Sequence, residues 1–205
     1  MIISLRVSVP FCSFRNPYSR QYWATERFPP PSTVYGFLLS LVGEEYRATY
    51  RGTRLAIAVV QRPRTSVVLR TVWRVKSDDP LGTGNNKRPD YQQVLSGLVF
   101  GVWVHHDPAG LAQKLESAAK SPEKIQRYGG LSLGESRDLV NDIHFNPRWE
   151  GEGTWLVRDC KGPLSLPVWV DHVGSKGTHW VQFAEQTLPL EEPDNENLWI
   201  PICPP

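Results

Sequence analysis

The 205 residues are 40% hydrophobic and 21% charged, and the formal net charge is only +2 at neutral pH. This composition is ordinary for a globular protein with a sizeable core and excludes a strongly basic chain, so affinity for nucleic acid must come from where the cations lie. No run approaches the ~20 apolar residues of a membrane span. The three cysteines form no pair with zinc-ligand spacing, and we expect a cytoplasmic protein without metal or other cofactor.

The first strand is predicted over residues 3–9, where apolar and polar residues alternate as in a strand with one buried face. A long loop is predicted over residues 13–31, because this segment is polar, aromatic and basic and ends in three prolines that oppose a helix. The helix that follows would be capped by Ser32 or Thr33 and would end at Gly43.

A central strand is predicted over residues 55–61, which are apolar on both faces. Alternation over residues 66–76 predicts a further strand. Three cations of that strand, Arg70, Arg74 and Lys76, share one of its faces.

A long hairpin is predicted to follow, because residues 77–92 have the Gly, Asn, Asp and Pro content of a projecting loop and residues 98–104 return as a strand. A second helix is predicted to open at Asp107 and Pro108 and to end near Ser121. Its inward face would consist of Leu111, Leu115 and Ala118.

The order of these elements, β, α, β, β, long protrusion, β and α, matches an α+β protein with a ferredoxin-like or RRM-like core and an inserted hairpin. Beyond Asn146, short apolar runs split by Gly, Pro and charged turns predict a small β-rich appendage. We therefore expect a core domain over residues 1–145, with the hairpin over residues 66–104, and a C-terminal appendage over residues 146–205.

The segment YGGLSLGESRDLVN, residues 128–141, is the most informative motif. Gly129 and Gly134 match the opening of a phosphate-binding P-loop, but Glu135 takes the place of the lysine and would repel phosphates. We therefore reject nucleotide hydrolysis. Two interpretations remain open, a loop whose exposed amides bind an RNA backbone and a plain turn.

Together with RFPPPSTVYGFLLSLVG at residues 27–43, this loop resembles the RAMP proteins of CRISPR systems, and more narrowly the DevS-like branch of the Cas-five family. The resemblance covers residues 1–145. It implies a ferredoxin-like RAMP core, a thumb hairpin around residues 77–92, and a non-catalytic subunit that binds the 5′ handle of the crRNA in a type I Cascade complex for antiviral defence. The implied partners are the terminal backbone RAMP subunit, the large subunit and the target DNA of the assembled complex.

The residue types and the resemblance together predict the RNA contacts, since arginines mixed with aromatic rings suit phosphate pairing and base stacking. In the first loop and the start of the helix they are Arg15, Arg20, Tyr22, Trp23, Arg27, Ser32 and Thr33. In the hairpin they are Arg70, Trp73, Arg74, Lys76, Lys87 and Arg88, and in the glycine-rich loop Gly129, Gly130, Ser132, Gly134, Ser136 and Arg137. For any single cation, a solvated surface charge is the competing interpretation.

The main alternative is a metal-independent endoribonuclease that processes precursor crRNA, because some relatives of the family cleave it. Such chemistry needs a general base, often a histidine, near a 2′-hydroxyl. The histidines available for this role are His105, His106, His144, His172 and His179. No set of His, Lys and Tyr matches the cleaving branch, so we expect no enzyme activity. A β-rich scaffold without a nucleic-acid role is the third possibility.

Overall fold

A computed structural model describes residues 2–19, 22–73, 78–80, 82–105 and 110–205. The strands are β1 (Ile2–Cys12), β2 (Tyr22–Trp23), β3 (Arg54–Gln61), β4 (Arg64–Trp73), β5 (Lys87–His105), β6 (Asp142–Phe145), β7 (Glu152–Arg158), β8 (Leu164–Trp169), β9 (His179–Pro189) and β10 (Ile200–Pro201). The helices are α1 (Pro31–Val42) and α2 (Leu111–Lys120), with short 3-10 helices at Gly84–Asn86, Pro122–Lys124 and Glu196–Leu198. The expected α+β class is confirmed.

The strands form one sheet in the order β6-β1-β5-β3-β7-β9-β8, with β10 beside β3 and with β2 and β4 beside β5. Their pairings are antiparallel, apart from the parallel contact of β2 with β5. The second half of β5, from Leu95, lies between β1 and β3. Its first half, from Lys87, pairs with β4 and β2. The long hairpin predicted from the sequence is therefore present, as the β4–β5 hairpin.

The main hydrophobic core lies between one face of the sheet and the two helices. Strand β1 buries its alternate residues there, since successive side chains of a strand point to opposite faces; they are Ile3, Leu5, Val7 and Val9. Helix α1 packs against α2 and β8, and α2 packs against β1 and β5. The predicted inward residues of α2 are buried, namely Leu111, Leu115 and Ala118. Each large apolar side chain buried in this way contributes roughly 1.5–3 kcal/mol before entropy losses.

Tryptophans cover the opposite face of the sheet. The ring of Trp103 on β5 lies 4.5 Å from that of Trp149 and 4.4 Å from that of Trp155, measured between centroids. Trp149 Nε1 donates a hydrogen bond of 3.0 Å to Ser4 Oγ, so the polar atom of this ring is satisfied. Strand β3 is therefore covered on both faces and lies between β5 and β7, which confirms the predicted central strand.

Helix α1 begins two or three residues earlier than expected. Its N-cap is Pro30, with Pro31 as the first helical residue, and no side chain caps it. The predicted cap at Ser32 or Thr33 is thus wrong, because proline is well suited to the first helical position and shifts the start toward it. The predicted end is confirmed, since Gly43 adopts the left-handed conformation with φ of 70°.

Two predicted loops contain strand structure. The first loop includes β2, and the proposed projecting loop is shorter than residues 77–92 because β5 begins at Lys87. Pro89 lies inside β5, where it pairs with Thr71 of β4. The predicted start of α2 at Asp107 and Pro108 lies outside the described residues; the N-cap seen is Gly110.

The C-terminal part is β-rich, as expected, and its strands continue the sheet. Ala58 of β3 pairs with Trp155 of β7, and Val59 pairs with Thr154. The division into domains at residues 145 and 146 stays a prediction. In the described part of the chain, neither helix has the length and apolar character needed to cross a membrane.

Candidate nucleic-acid interface

A cleft of 570 Å³ lies where four segments of the chain meet. The first loop lines it with Ser13, Phe14, Arg15, Pro17, Trp23 and Glu26, and the start of α1 with Pro30, Ser32 and Thr33. The glycine-rich loop contributes Gly134 and Glu135, and the region of β8 and β9 contributes Pro167, Val170, Ser175, Thr178 and Trp180. The two motifs singled out in the sequence therefore face one cavity.

The glycine-rich loop is fixed to the end of β1 by Asp138. One oxygen of its carboxylate, Oδ2, accepts hydrogen bonds of 2.9 Å from the backbone N–H of Ser13 and from that of Glu135. Burial raises the pKa of Asp138 above its ordinary value, and the two hydrogen bonds oppose this shift. An isolated bridge between Ser132 and Leu139 closes the loop on itself. The loop therefore has a defined shape without any ligand.

The glycines of this loop serve different purposes. Gly134 has φ of 109°, and a Cβ atom there would lie 2.7 Å from the carbonyl oxygen of Ser13. Only glycine allows this approach of two backbones. Gly129 has φ of 79° with open space around it, and a Cβ on Gly130 would meet only the side chain of Leu139 at 3.1 Å. The backbone near Gly129 is thus the part of the loop open to another molecule.

Glu135 joins the glycine-rich loop to the β4–β5 hairpin. Its carboxylate accepts hydrogen bonds from Gln92 Nε2 at 2.7 Å and from Arg137 Nε at 2.9 Å, and it lies 3.7 Å from Arg70 Nη1. Arg137 Nη2 also donates to Gln92 Oε1 at 2.9 Å. Glu135 therefore partly neutralises two of the predicted RNA-binding cations and orients both of them at the rim of the cleft.

Two guanidinium groups lie against the ring of Trp23. The Cζ atom of Arg70 is 3.7 Å from the ring centroid and that of Arg15 is 4.1 Å from it. Such contacts are worth about 0.5–1 kcal/mol at exposed sites and more when water is excluded. Trp23 thus brings one cation of the hairpin and one of the first loop to the same wall of the cleft.

The remaining predicted residues of the hairpin lie away from the cleft lining. Trp73 is exposed and packs over Gly82, and Lys87 is exposed at the start of β5. Arg88 forms an ion pair of 2.8 Å with Asp90. Three predicted residues, Arg20, Arg74 and Lys76, lie outside the described residues.

Outside the hairpin, Tyr22 is exposed and pairs with Tyr91 through the β2–β5 contact. Arg27 is exposed and lines a separate cavity of 260 Å³ with Arg62. Ser136 is exposed at the turn of the glycine-rich loop.

The histidines in the described part of the chain do not cluster. His105 packs edge-on against Trp199, and His144 Nε2 lies 2.6 Å from a carboxylate oxygen of Asp142. His179 Nδ1 is 3.1 Å from the carbonyl oxygen of Cys203. Across the described ranges, no group of three His, Cys, Asp or Glu residues could hold a metal ion. His106 lies outside these ranges.

Sequence reasoning missed a cation on the far side of the start of α1. Arg47 Nη1 donates hydrogen bonds of 2.7 Å to the carbonyl oxygen of Val170 and to His172 Nε2. The Cζ atom of Arg47 lies 4.7 Å from the ring centroid of Trp169. The residues are 123 and 125 positions apart in the chain, so no local pattern could have joined them.

Two solved structures share this fold. One, described as a CRISPR RNA-guided surveillance complex, is 15% identical with a TM-score of 0.62, and the match covers 96% of this chain and 96% of that chain. The other, a crystal structure of a Cas protein, is 14% identical with a TM-score of 0.56, over 92% of this chain and 95% of that one. At such identities the likeness shows the fold alone.

The sequence comparisons give the family. A family model described as CRISPR-associated protein (Cas_Cas5) matches residues 2–179. The CRISPR-associated protein Cas5 of Myxococcus xanthus (strain DK1622) is 40% identical over 188 residues, which cover 87% of each chain. The chain therefore belongs to the Cas5 family of CRISPR-associated proteins, which confirms the family suspected from the two motifs.

Proposed function

We propose that this Cas5 protein is a non-catalytic subunit of a type I Cascade surveillance complex and that it binds the 5′ handle of the crRNA. The observation that carries the proposal is the cleft, because the first loop, the start of α1 and the glycine-rich loop all line it. One structure with the same fold is described as a CRISPR RNA-guided surveillance complex, which supports membership in a similar assembly.

The groups around the cleft suit an RNA backbone. Arg15, Arg70 and Arg137 supply guanidinium groups, whose planar donors match phosphate oxygens. Gly129 belongs to the same loop but is not one of the residues that line the cleft, and its open backbone can approach a sugar-phosphate chain closely. A phosphate that reaches Arg137 would replace Glu135 as its partner, so binding would exchange an internal ion pair for one with RNA.

The topology supports a ferredoxin-like core. Four strands run in the order β6-β1-β5-β3, and α1 and α2 both pack against the main core. Along the chain, these elements give the β-α-β-β-α-β order of that fold. The β4–β5 hairpin is inserted between β3 and the second half of β5, where the thumb of the family was expected.

The hairpin is our candidate for the surface that bridges neighbouring subunits near the point where target DNA enters. One face of it carries exposed large apolar side chains, which are Val67, Leu69, Trp73 and Tyr91. Such a cluster marks an interaction surface, because a solvated hairpin gains nothing from exposing it. The backbone RAMP subunit and the large subunit are the proposed occupants.

The proposal of a non-catalytic role rests on the scattered histidines. Cleavage without metal needs a general base close to the phosphate-binding cations. Of the histidines in the described ranges, only His172 lines a cavity next to the cleft, and its Nε2 is occupied by Arg47.

The test is to purify the protein with its genomic neighbours and to sequence the RNA that copurifies. We expect RNAs with a shared 5′ end derived from the CRISPR repeat. Arg15→Gln combined with Arg137→Gln should lower the amount of RNA retained, whereas Arg148→Gln should not, because Arg148 pairs with the neighbouring Glu150 and does not line the cleft. Random cellular RNA in the wild-type sample would contradict the proposal.

A cleavage assay with precursor RNA in the presence of EDTA distinguishes the non-catalytic role from the alternative, a metal-independent endoribonuclease. We expect no cutting at the repeat. Specific cutting that is lost when one histidine is replaced would overturn the non-catalytic role while leaving RNA binding intact.

A further inference from the structure

We propose that the cleft continues around the start of α1 into a second subsite, formed by Ser32, Arg47 and His172, which binds one phosphate group of the RNA backbone. The inference rests on the proposed RNA-binding function and extends it to Arg47 and His172, which neither the sequence motifs nor the cleft lining include.

The subsite is a cavity of 230 Å³. It is lined by Ser32, Thr33, Gly36, Arg47, Val170 and His172. Ser32, Thr33 and Val170 also line the larger cleft. A single strand of RNA could therefore place successive phosphates in the two cavities without leaving the protein surface.

Ser32 provides a hydroxyl donor that no described residue of the protein uses. The residue is only 7% exposed, yet within the described ranges its hydroxyl has no hydrogen-bond partner and does not cap the helix. Its hydroxyl oxygen is not one of the fully buried polar atoms that lack a partner, so it is accessible from the cavities that Ser32 lines. Ser32 borders both cavities, so a ligand there could supply the missing acceptor.

The backbone at this helix end adds a second donor. Pro31 has no N–H, and the N–H groups of Thr33 and Val34 both donate to the carbonyl oxygen of Pro30. Among the described residues no acceptor is found for the N–H of Ser32. The first turn of α1 also lacks acidic residues, so the partial positive charge of the helix start is not neutralised.

Arg47 is a cation that forms no ion pair with a carboxylate in the described part of the chain. Its hydrogen bonds use only Nη1, which leaves the donors on Nε and Nη2 without a protein acceptor there. Burial lowers the pKa of Arg47, which reflects the cost of keeping a cation partly out of water. An anion in the cavity would offset that cost.

His172 orients the guanidinium of Arg47. Arginine has no acceptor atoms, so His172 Nε2 must accept the hydrogen bond from Nη1 and the ring proton must be on Nδ1. The carboxylate of the adjacent Asp171 accepts hydrogen bonds from the N–H groups of Val173 and Gly177 and thus stabilises the backbone turn that contains it. The polar side chains of the cavity can therefore act as donors toward a ligand, which suits a phosphate.

The test compares Arg47→Gln and Ser32→Ala with wild type in the purified complex, using a synthetic RNA of the sequence that copurifies. We expect a loss of affinity of about tenfold for Arg47→Gln and about fivefold for Ser32→Ala, as for charged and neutral hydrogen bonds. The slope of log K against log salt concentration should fall by about 0.7 for Arg47→Gln, as for one phosphate contact of a single strand.

Arg51→Gln is the matched control, because Arg51 is an exposed cation of the same turn that does not line the cavity. It should leave both the affinity and the slope unchanged. Ser32→Ala should leave the melting temperature unchanged, since the hydroxyl makes no hydrogen bond to the described protein. This variant tests the subsite even if Arg47→Gln disturbs folding.

A set of RNAs, each with one neutral methylphosphonate, identifies the contact. A methylphosphonate at one position should weaken binding to wild type but not to Arg47→Gln.

If RNA with a common 5′ end copurifies and both subsite variants bind it like wild type, the subsite is wrong while the proposed function stands. If no common RNA copurifies, the proposed function itself fails. Competition by inorganic phosphate that is lost in Arg47→Gln, with RNA affinity unchanged, would assign the subsite to free phosphate and overturn the RNA contact.

Discussion

Ser13 and Asp138 are 125 residues apart in the chain, and a hydrogen bond of 2.9 Å joins the N–H of Ser13 to the carboxylate of Asp138. The same carboxylate oxygen also accepts a hydrogen bond from the N–H of Glu135. The end of β1 and the glycine-rich loop are thereby held in one arrangement, and Gly134 lets the two backbones touch. These contacts within the protein therefore position the walls of the cleft.

Replacing Asp138 tests this arrangement. Asp138→Ala should lower the free energy of unfolding by about 2 kcal/mol, because two backbone N–H groups lose their acceptor. Asp138→Asn should retain most of that stability near neutral pH, since both hydrogen bonds go to one oxygen, which the amide oxygen can replace. Urea unfolding measures both variants, and equal losses would contradict the role given to that oxygen.

The pH dependence of Asp138→Asn follows from the pKa of Asp138, which burial raises above 3.8. The folded protein then binds a proton at this site more readily than the unfolded chain does, so the site favours folding most at low pH. That contribution is lost as pH rises from 3.8 through the raised pKa. The stability of the variant relative to wild type should therefore increase with pH over this window, and a decrease would show that the pKa is lowered.

Two glycines of one loop should respond differently to alanine. Gly134→Ala should destabilise the protein by about 2–4 kcal/mol, because it adds a contact with Ser13 to the strain of a left-handed residue. The Cβ atom added by Gly129→Ala would meet no atom within 4 Å. This variant should therefore lose only the about 1–2 kcal/mol of unfolding free energy that the strained backbone costs. Thermal unfolding of both variants measures the difference, and similar losses would show that Gly134 can move away from Ser13.

Glu135→Gln should raise the affinity for RNA. The carboxylate lies near both Arg70 and Arg137 and opposes phosphates, and the amide keeps an acceptor for Gln92. We expect a gain of about threefold and a steeper salt dependence, as for the removal of one nearby negative charge. Glu150→Gln, a charge change outside the cleft lining, is the control. Weaker binding by Glu135→Gln would show that the ion pairs matter more for orientation than for charge.

The exposed face of the hairpin should matter for assembly and not for folding. Leu69→Lys combined with Tyr91→Lys changes two neighbouring side chains that are 63% and 53% exposed. The melting temperature should change by less than about 2 °C, as for surface substitutions, while copurification of partner subunits should fall. Tyr46→Lys, which alters an exposed ring outside the hairpin, should leave copurification unchanged. Unaltered assembly of the hairpin variant would refute the bridging role.

The cysteines should differ in reactivity. Burial raises the pKa of Cys12 to about 12, so its thiol is both inaccessible and protonated at neutral pH. Cys160 is exposed. Iodoacetamide should therefore label Cys160 in the native protein and Cys12 only after unfolding, and mass spectrometry of peptides distinguishes the two. Rapid labelling of Cys12 in the folded state would contradict its place in the core.

Much of the fold was predictable because it follows local periodicity. The alternation in β1 and the helical spacing of Leu111, Leu115 and Ala118 reflect burial against one neighbour, which a short window can detect. The start of α1 could not be predicted in this way. Ser32 is a favourable N-cap in isolation, whereas the observed N-cap at Pro30 depends on the run of prolines.

The candidate site was only partly predictable. Glycine content marked the loop that contains Gly134, but the partner that makes this glycine necessary, Ser13, lies at the end of a distant strand. Glu135 was interpreted as opposing phosphate, whereas it also forms ion pairs that require the tertiary structure. Arg47 followed a helix with no local signal, and its partner His172 lies on a late loop.

The positions of the cleft residues in the sequence determine how late in synthesis the cleft can form. Its walls combine residues as early as Ser13 with residues as late as Trp180, so loops of more than a hundred residues must close before the cleft exists. Such non-local closure is slow relative to helix formation. A nascent chain that has emerged only to the end of β6 would hold both motifs of the proposed RNA site but lack one wall of the cleft, so the proposed binding of crRNA would wait for β8 and β9.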